Sequence, residues 1–209
     1  MPEFFISGID TNVGKTLVSA IFTEALQADY WKPVQAGYEE GTDTNTVKSL
    51  VSNTTSFFHP EAYLLKNPVS PHYAAILENI ELDEKKIIQQ YKNMHRSGSL
   101  IIEGAGGLMV PINKRCLVLD LIQSIGIPVV LVVKNYLGSI NHTLLSLQIL
   151  KNKGIPVQGM VFSGIESAAS KTFILEYSQV PCILDIPVLA SIDPETVSFY
   201  ATLLKSKFK

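Results

Sequence analysis

The sequence predicts an α/β protein, a three-layer α/β/α sandwich around a mainly parallel central sheet. Three observations carry that expectation. Short β-branched or aromatic runs alternate with longer helix-patterned stretches along all 209 residues. Several of these runs are apolar on both faces, as strands covered by helices on both sides must be. No internal repeat and no long linker interrupts the alternation, so one domain over residues 1–209 is expected, with right-handed crossovers.

The first strand is expected at 4–7. From Thr16 onward, Leu17, Val18, Ile21, Phe22, Ala25 and Leu26 form one apolar helical stripe. A second strand is expected at 30–34. The stretch 54–82, rich in Pro, Asn and Ser, reads as an irregular excursion; in such folds, excursions at the carboxyl ends of strands build ligand sites. A polar, surface-like helix over 83–96 is expected to stop at Gly98. Strands follow at 99–103, 129–133 and 157–162, with a short one near 183–186, and a helix over 141–153 ends at Gly154. The last helix takes Asp193 as N-cap and Pro194 in its first turn, and buries Val197, Tyr200, Ala201 and Leu204.

Composition narrows the function. With 17 Lys+Arg against 19 Asp+Glu the net charge is -2, so no global basic field attracts nucleic acid, and any bound anion needs a local device. The most apolar stretch, around 117–133, is interrupted by Asp120, Gln123, Gly126 and Pro128, whereas a membrane helix needs about 20 apolar residues. Met1 leads straight into a strand without a targeting pattern. Two cysteines, Cys116 and Cys182, make no disulfide framework and lack metal-ligand spacing. A cytoplasmic location, without membrane or nucleic-acid partners, is expected.

The decisive segment is Gly-Ile-Asp-Thr-Asn-Val-Gly-Lys-Thr at 8–16, between a strand and an amphipathic helix, the setting that a phosphate-binding P-loop requires. Gly8 and Gly14 permit close backbone approach, successive N–H groups converge on phosphate oxygens, and the helix dipole helps. Lys15 would reach the β- and γ-phosphates, and the Thr16 hydroxyl suits Mg2+. The two glycines stand one residue further apart than in the commonest form of the loop.

Two further strand ends join it. Ser-Leu-Ile-Ile-Glu-Gly-Ala-Gly-Gly at 99–107 ends a buried strand in Glu103, followed by a glycine-rich turn; such a carboxylate completes the metal shell in P-loop proteins. Lys-Pro-Val-Gln-Ala-Gly at 32–37 places Lys32 at the top of a central strand, where the terminal phosphate would lie. Asp43 offers a second carboxylate to the metal, although an Asp before a helix also reads as an N-cap.

Together these segments resemble the dethiobiotin synthetase family, ATP-dependent enzymes of biotin biosynthesis with a P-loop NTPase-like fold. The family's Gly-x-Asp-Thr-x-Val-Gly-Lys-Thr, Lys-Pro-Val-x-x-Gly, Ser-Pro-His and Glu-Gly-Ala-Gly-Gly elements stand here at 8–16, 32–37, 70–72 and 103–107. Leu-Gly-Ser-Ile-Asn-His at 137–142 and Ile-Pro-Val-Leu at 186–189 extend the likeness over most of the chain.

The resemblance implies a cyclo-ligase acting on 7,8-diaminopelargonate (7,8-diaminononanoate) with CO2 or bicarbonate and ATP. An amine takes up CO2 as a carbamate, the carbamate attacks the γ-phosphoryl group, and the second amine closes the ring of dethiobiotin. By resemblance, Lys15, Lys32 and Thr11 serve the chemistry, with Lys32 bridging carbamate and γ-phosphate. Gly8, Asn12, Val13, Gly14, Lys15, Thr16 and Leu17 would wrap the nucleotide phosphates, with Asp43, Glu103, Gly104, Ala105 and Gly106 beside them. Thr16, Asp43 and Glu103 would hold Mg2+, and Ser163, Gly164, Pro187, Val188 and Leu189 would line the base pocket. The diamine would meet Thr11, Lys32, Ala36, Pro71 and Gly107, and its carboxylate tail would meet Gly138, Ser139, Ile140 and Asn141 across a homodimer interface. His72 and His142 read as structural.

Two departures stand out. Ala36 replaces the family's usual Ser or Thr, removing a hydroxyl, and Ser163 replaces an Asn that reads adenine in many members. The main rival is a P-loop ATPase switch of the partitioning type, which commonly carries an early loop lysine where this chain has Asp10. An amide-forming synthetase of the cobyrinate kind would need a glutamine-hydrolysing domain with a nucleophilic Cys. A non-enzymatic nucleotide-dependent binding module is the third.

Overall fold

The computed structural model describes residues 1–96 and 98–207. In chain order the elements are β1 (Glu3–Gly8), α1 (Lys15–Leu26), β2 (Asp29–Trp31), β3 (Val34–Ala36), α2 (Asp43–Leu50), β4 (Phe58–His59), β5 (Tyr63–Leu65), α3 (Pro71–Leu77) and α4 (Glu84–Asn93). They continue with β6 (Leu100–Gly107), α5 (Val118–Ile125), β7 (Val129–Lys134), α6 (Ser139–Asn152), β8 (Val157–Ser163), α7 (Ala168–Ser178), β9 (Cys182–Ile186) and α8 (Pro194–Lys205). Seven strands form one sheet in the order β4-β2-β6-β1-β7-β8-β9, and every pairing in it is parallel. The three-layer expectation therefore holds, with separate apolar clusters on the two faces: Phe4, Ile6 and Ile101 face α1 and α8, while Phe5, Ile102 and Val129 face α4 and α5.

The sheet order explains where the site lies. From β1 the chain moves one way to β2, and from β6 it crosses β1 to reach β7 on the other side. Connections therefore diverge above β1, opening a crevice at the carboxyl ends of β1 and β6, where ligands bind in open α/β sheets.

Several boundaries differ from the sequence reading, each for a local reason. The strand expected over 30–34 breaks after Trp31, because Pro33 has no N–H to give a ladder. The chain then enters a separate two-stranded parallel sheet, β3 with β5. The carbonyl of Pro33 accepts from the N–H groups of Ala62 (2.9 Å) and Tyr63 (3.1 Å), and Gly37 N–H donates to the Leu65 carbonyl at 2.9 Å. The 54–82 excursion is thus not irregular: it contains β4, β5 and α3, and this pairing carries residues 68–71 to the crevice. Nor is 104–107 a turn, since β6 runs on through Gly107 with its register against β1 shifted between Ile6 and Gly8.

Helix ends also move. The helix expected over 83–96 is capped by Asp83, which accepts from Lys85 N–H at 2.9 Å, but it stops at Asn93, before Gly98. α6 begins two residues before the expected start, and Thr42, not Asp43, caps α2. The final helix matches: Asp193 Oδ1 accepts from Thr196 N–H at 2.8 Å. Among the described residues no helix is long and apolar enough to cross a membrane.

The outer strand β4 provides a test of acid stability. His59 is buried there, with Nε2 at 3.3 Å from Asp29 Oδ2. Burial lowers its pKa below 6.5, Asp29 opposes this and Arg96 adds to it. A folded-state value below the unfolded one means that this contribution is complete above pH 6.5 and is lost as pH falls below it. The unfolding midpoint should therefore drop from pH 7 to 5 more steeply in the native protein than in His59→Gln. Equal slopes would refute the assignment.

Candidate functional site

The loop between β1 and α1 has the shape its sequence demands. A Cβ on Gly8 would lie 2.5 Å from Val13 Cγ2 and 2.8 Å from the Asp10 carbonyl, so the loop can fold back over the strand end only with glycine there. Gly14, at φ 99°, adopts the left-handed turn that starts α1. Lys134, at the end of β7, braces the loop from outside through its ammonium to the Asn12 carbonyl (3.3 Å).

The loop opens into a cleft of about 710 Å³. It brings together Thr11, Asn12, Gly14, Lys15, Thr16 and Leu17 from the loop and α1, and Lys32, Ala36 and Asp43 from the segment after β2. Pro71 from the head of α3 and Glu103, Ala105 and Gly106 from β6 line it as well. Gly8, Val13, Gly104 and Gly107 do not line it; Gly8 and Val13 support the loop from beneath. Ser163, Gly164, Pro187 and Ser139 line a second cavity of about 330 Å³ between α6, α7 and the ends of β7, β8 and β9. Gly138, Ile140, Asn141, Val188 and Leu189 border neither cavity.

At the floor of the cleft four charged groups and one hydroxyl converge. Thr16 Oγ1 lies 3.0 Å from both Asp43 Oδ1 and Glu103 Oε1. Lys32 Nζ is paired with Asp43 and, at 3.1 Å, with Glu103 Oε1. Lys15 Nζ instead donates to the Asp10 carbonyl at 2.9 Å. The pKa values of the two lysines consequently shift in opposite directions. For Lys15 burial prevails, aided by Lys32 and opposed by Glu103, Asp43 and Asp10, and its pKa falls to about 8. For Lys32 burial also pulls downward, but Glu103 and Asp43 outweigh it and hold the ammonium above its ordinary value. Burial pushes Asp43 up, yet Lys32 and the Thr16 hydroxyl prevail and keep it below the usual carboxylate range.

Three contributors escaped the sequence reading. Gln35 accepts from Asp43 N–H at 3.1 Å and donates to the Gly37 carbonyl at 2.8 Å, which fixes the start of α2. Tyr30 bonds Glu103. Lys134 braces the loop as described. Gln35 sits inside the quoted lysine segment and so was visible; a strand tyrosine and a strand-end lysine give no comparable signal.

The oxygens of Thr16, Asp43 and Glu103 are of the hard type that Mg2+ prefers. Among the described residues no group of three or more His, Cys, Asp or Glu side chains gathers. Two carboxylates and a hydroxyl fit a cation that keeps waters and substrate phosphates as its other ligands. Burial, followed by nearby acidic groups, raises the pKa of both Cys116 and Cys182 to about 11, so neither thiol is poised as a nucleophile.

Comparison with known proteins shows the family. A family model described as an AAA domain matches residues 3–196. The chain is 48% identical over 204 residues to the ATP-dependent dethiobiotin synthetase BioD of Cytophaga hutchinsonii, covering 98% of this chain and 97% of that protein. It is 46% identical over 208 residues to the BioD of Christiangramia forsetii, covering 99% and 98% respectively. Among solved structures, the cell division ATPase MinD of Pyrococcus furiosus superposes with a TM-score of 0.62 at 14% identity, covering 99% of this chain and all of that one (100%), a likeness of fold alone. Near-full-length identity of this order, with the loop, the lysine segment and the acidic strand end all meeting in one cleft, places the chain in the dethiobiotin synthetase family.

Proposed function

We propose that this protein closes a cyclic urea on 7,8-diaminopelargonate with CO2 and ATP, giving dethiobiotin, ADP and phosphate. The observation that carries the reading is the pair of buried ammoniums, Lys15 and Lys32, in one cleft with the phosphate loop. An amine of the diamine adds CO2 and loses a proton, leaving a carbamate. A carbamate oxygen attacks the γ-phosphorus, the bond to ADP breaks, and a carbamic–phosphoric anhydride results. The second amine then attacks the anhydride carbon, phosphate leaves with its electron pair, and the amine proton is released.

Lys15 stabilises charge on the transferring phosphoryl group, and the loop amides hold the remaining phosphates. Lys32 holds the carbamate in line with the γ-phosphate, which converts an encounter of two anions into a positioned reaction. Mg2+, held by Thr16, Asp43 and Glu103, would neutralise charge on the β- and γ-phosphates when bound. Thr11, with the mostly apolar wall of Val34, Ala36, Pro68, Pro71 and Val110, suits the aliphatic diamine. Ser163, Gly164, Pro187, Val188 and Leu189 serve the nucleobase side.

The test incubates the protein with Mg-ATP, bicarbonate and the diamine, and measures phosphate release with and without diamine alongside the cyclic urea by mass spectrometry. Diamine-dependent phosphate release equal to urea formed is expected. Diamine-independent hydrolysis without urea would establish the switch-type reading instead.

We further propose a homodimer in which the diamine's carboxylate reaches Gly138, Ser139, Ile140 and Asn141 of the second copy. This is the start of the 14-residue α6, whose dipole favours an anion; the Ser139 N–H is given to the Tyr136 carbonyl at 2.9 Å, and Leu137 and Leu145 nearby are exposed. Leu137→Asp should give monomers by size-exclusion chromatography with light scattering. It should also raise KM for the diamine about 10-fold or more, a loss of about 1.4 kcal/mol in binding, while KM for ATP holds. A native protein that elutes as a monomer would overturn this arrangement.

A further inference from the structure

The two oxygens of Glu103 have different neighbours. Oε1 faces Thr16 and Lys32 at 3.0 and 3.1 Å. Oε2 accepts a hydrogen bond from the Tyr30 hydroxyl at 2.9 Å. Both residues are fully buried.

Register explains the contact. Tyr30 on β2 pairs with Ile101 on β6, two residues before Glu103, so the phenol and the carboxylate share the α1 face of the sheet. Phe58 packs beside the ring, with centroids 6.2 Å apart. In such surroundings a phenylalanine would fill nearly the same volume without having to satisfy a hydroxyl. What the Tyr30 oxygen adds is its bond to Glu103. The carboxylate can only accept, so the phenol is the donor in this contact.

We propose that Tyr30 is a positioning residue: its hydroxyl ties down Glu103 Oε2, so that the carboxylate presents Oε1 to Thr16, Lys32 and the divalent cation of the proposed reaction. This rests on the reading of Glu103 as a cation ligand. An unanchored carboxylate could rotate and exchange its oxygens; anchored, it keeps one oxygen aimed into the cleft. Partners standing behind metal ligands in this way typically change metal affinity about 10- to 100-fold when removed.

The probe is Mn2+, titrated in the presence of ADP and followed by the electron paramagnetic resonance of the free ion. Tyr30→Phe should weaken Mn2+ binding about 10-fold and raise the Mg2+ concentration for half-maximal turnover. KM for ATP at saturating Mg2+ should stay unchanged. Tyr30→Met, which also fills the apolar space without a donor, should show the same loss. Glu103→Gln should weaken Mn2+ at least as much, and adding Tyr30→Phe to it should cost nothing further. If both Tyr30 variants bind Mn2+ like the native protein while Glu103→Gln does not, the Tyr30 assignment falls and the cation reading stands. Losses that multiply in the double variant would also overturn it, because Tyr30 would then act on the fold and not through Glu103. Unchanged binding by Glu103→Gln would overturn the cation reading itself.

Discussion

Replacing Lys15 with Ala is expected to reduce turnover on the order of 10³-fold, with the fold intact. Removing one preorganised donor from a developing anion costs about 10²- to 10³-fold, and Lys15 is a full charge in a site shielded from water. It is only 7% exposed, and its ammonium donates to the Asp10 carbonyl. The free enzyme thus holds an ammonium that burial has pushed down to about 8. Because that folded-state value lies below the ordinary 10.5, the charged form costs stability at every pH below about 8, by about 3 kcal/mol. In the proposed reaction a bound triphosphate would supply the missing counter-charge. Without nucleotide at pH 7, Lys15→Met should therefore unfold several degrees higher than the native protein, even as its turnover collapses. Near-native turnover in Lys15→Ala would remove Lys15 from the chemistry, and an unchanged or lower midpoint in Lys15→Met would contradict the stored cost.

Much of this site was legible because its parts are local. The phosphate loop is nine consecutive residues, from Gly8 to Thr16, whose glycines and lysine are required by one tight turn. The parallel sheet was visible in doubly apolar strands, which only two covering layers of helices explain. What stayed hidden was set by pairing across the chain. The break at Pro33 matters because β5, some thirty residues later, receives the displaced strand. The glycines at 104–107 resemble a turn by composition, yet the pairing with β1 resumes after a register shift at Gly8 and Gly107, so the strand runs on through them. Tyr30 and Glu103 are 73 residues apart, and only the β2–β6 register brings them together. Local motifs thus foretold which groups form the cleft, whereas long-range register decided how each is held.

Lys32 should behave in the opposite way to Lys15, and the difference follows from partners, not from burial. Both lysines are buried, at 4% exposure for Lys32 and 7% for Lys15. Lys32, however, sits between two carboxylates, which raise its pKa above the ordinary value while it keeps Asp43 ionised. Removing it leaves Glu103 buried beside Asp43 without a cation between them, and breaking a buried pair costs about 3–5 kcal/mol. Lys32→Ala is therefore expected to unfold several degrees lower than the native protein, where Lys15→Met unfolds higher. With the β- and γ-phosphate contacts of Lys15 and the loop intact, calorimetry should show ATP affinity changed by no more than a few-fold. Single-turnover phosphate release with bicarbonate and diamine should fall about 10²-fold or more, because on the proposed mechanism the carbamate would lose the group that aligns it with the γ-phosphate. Lys32→Arg keeps the charge and should restore the unfolding midpoint; its different reach would leave the turnover defect largely uncorrected. Loss of ATP affinity with unchanged turnover at saturation would assign Lys32 to nucleotide binding and remove it from the carbamate.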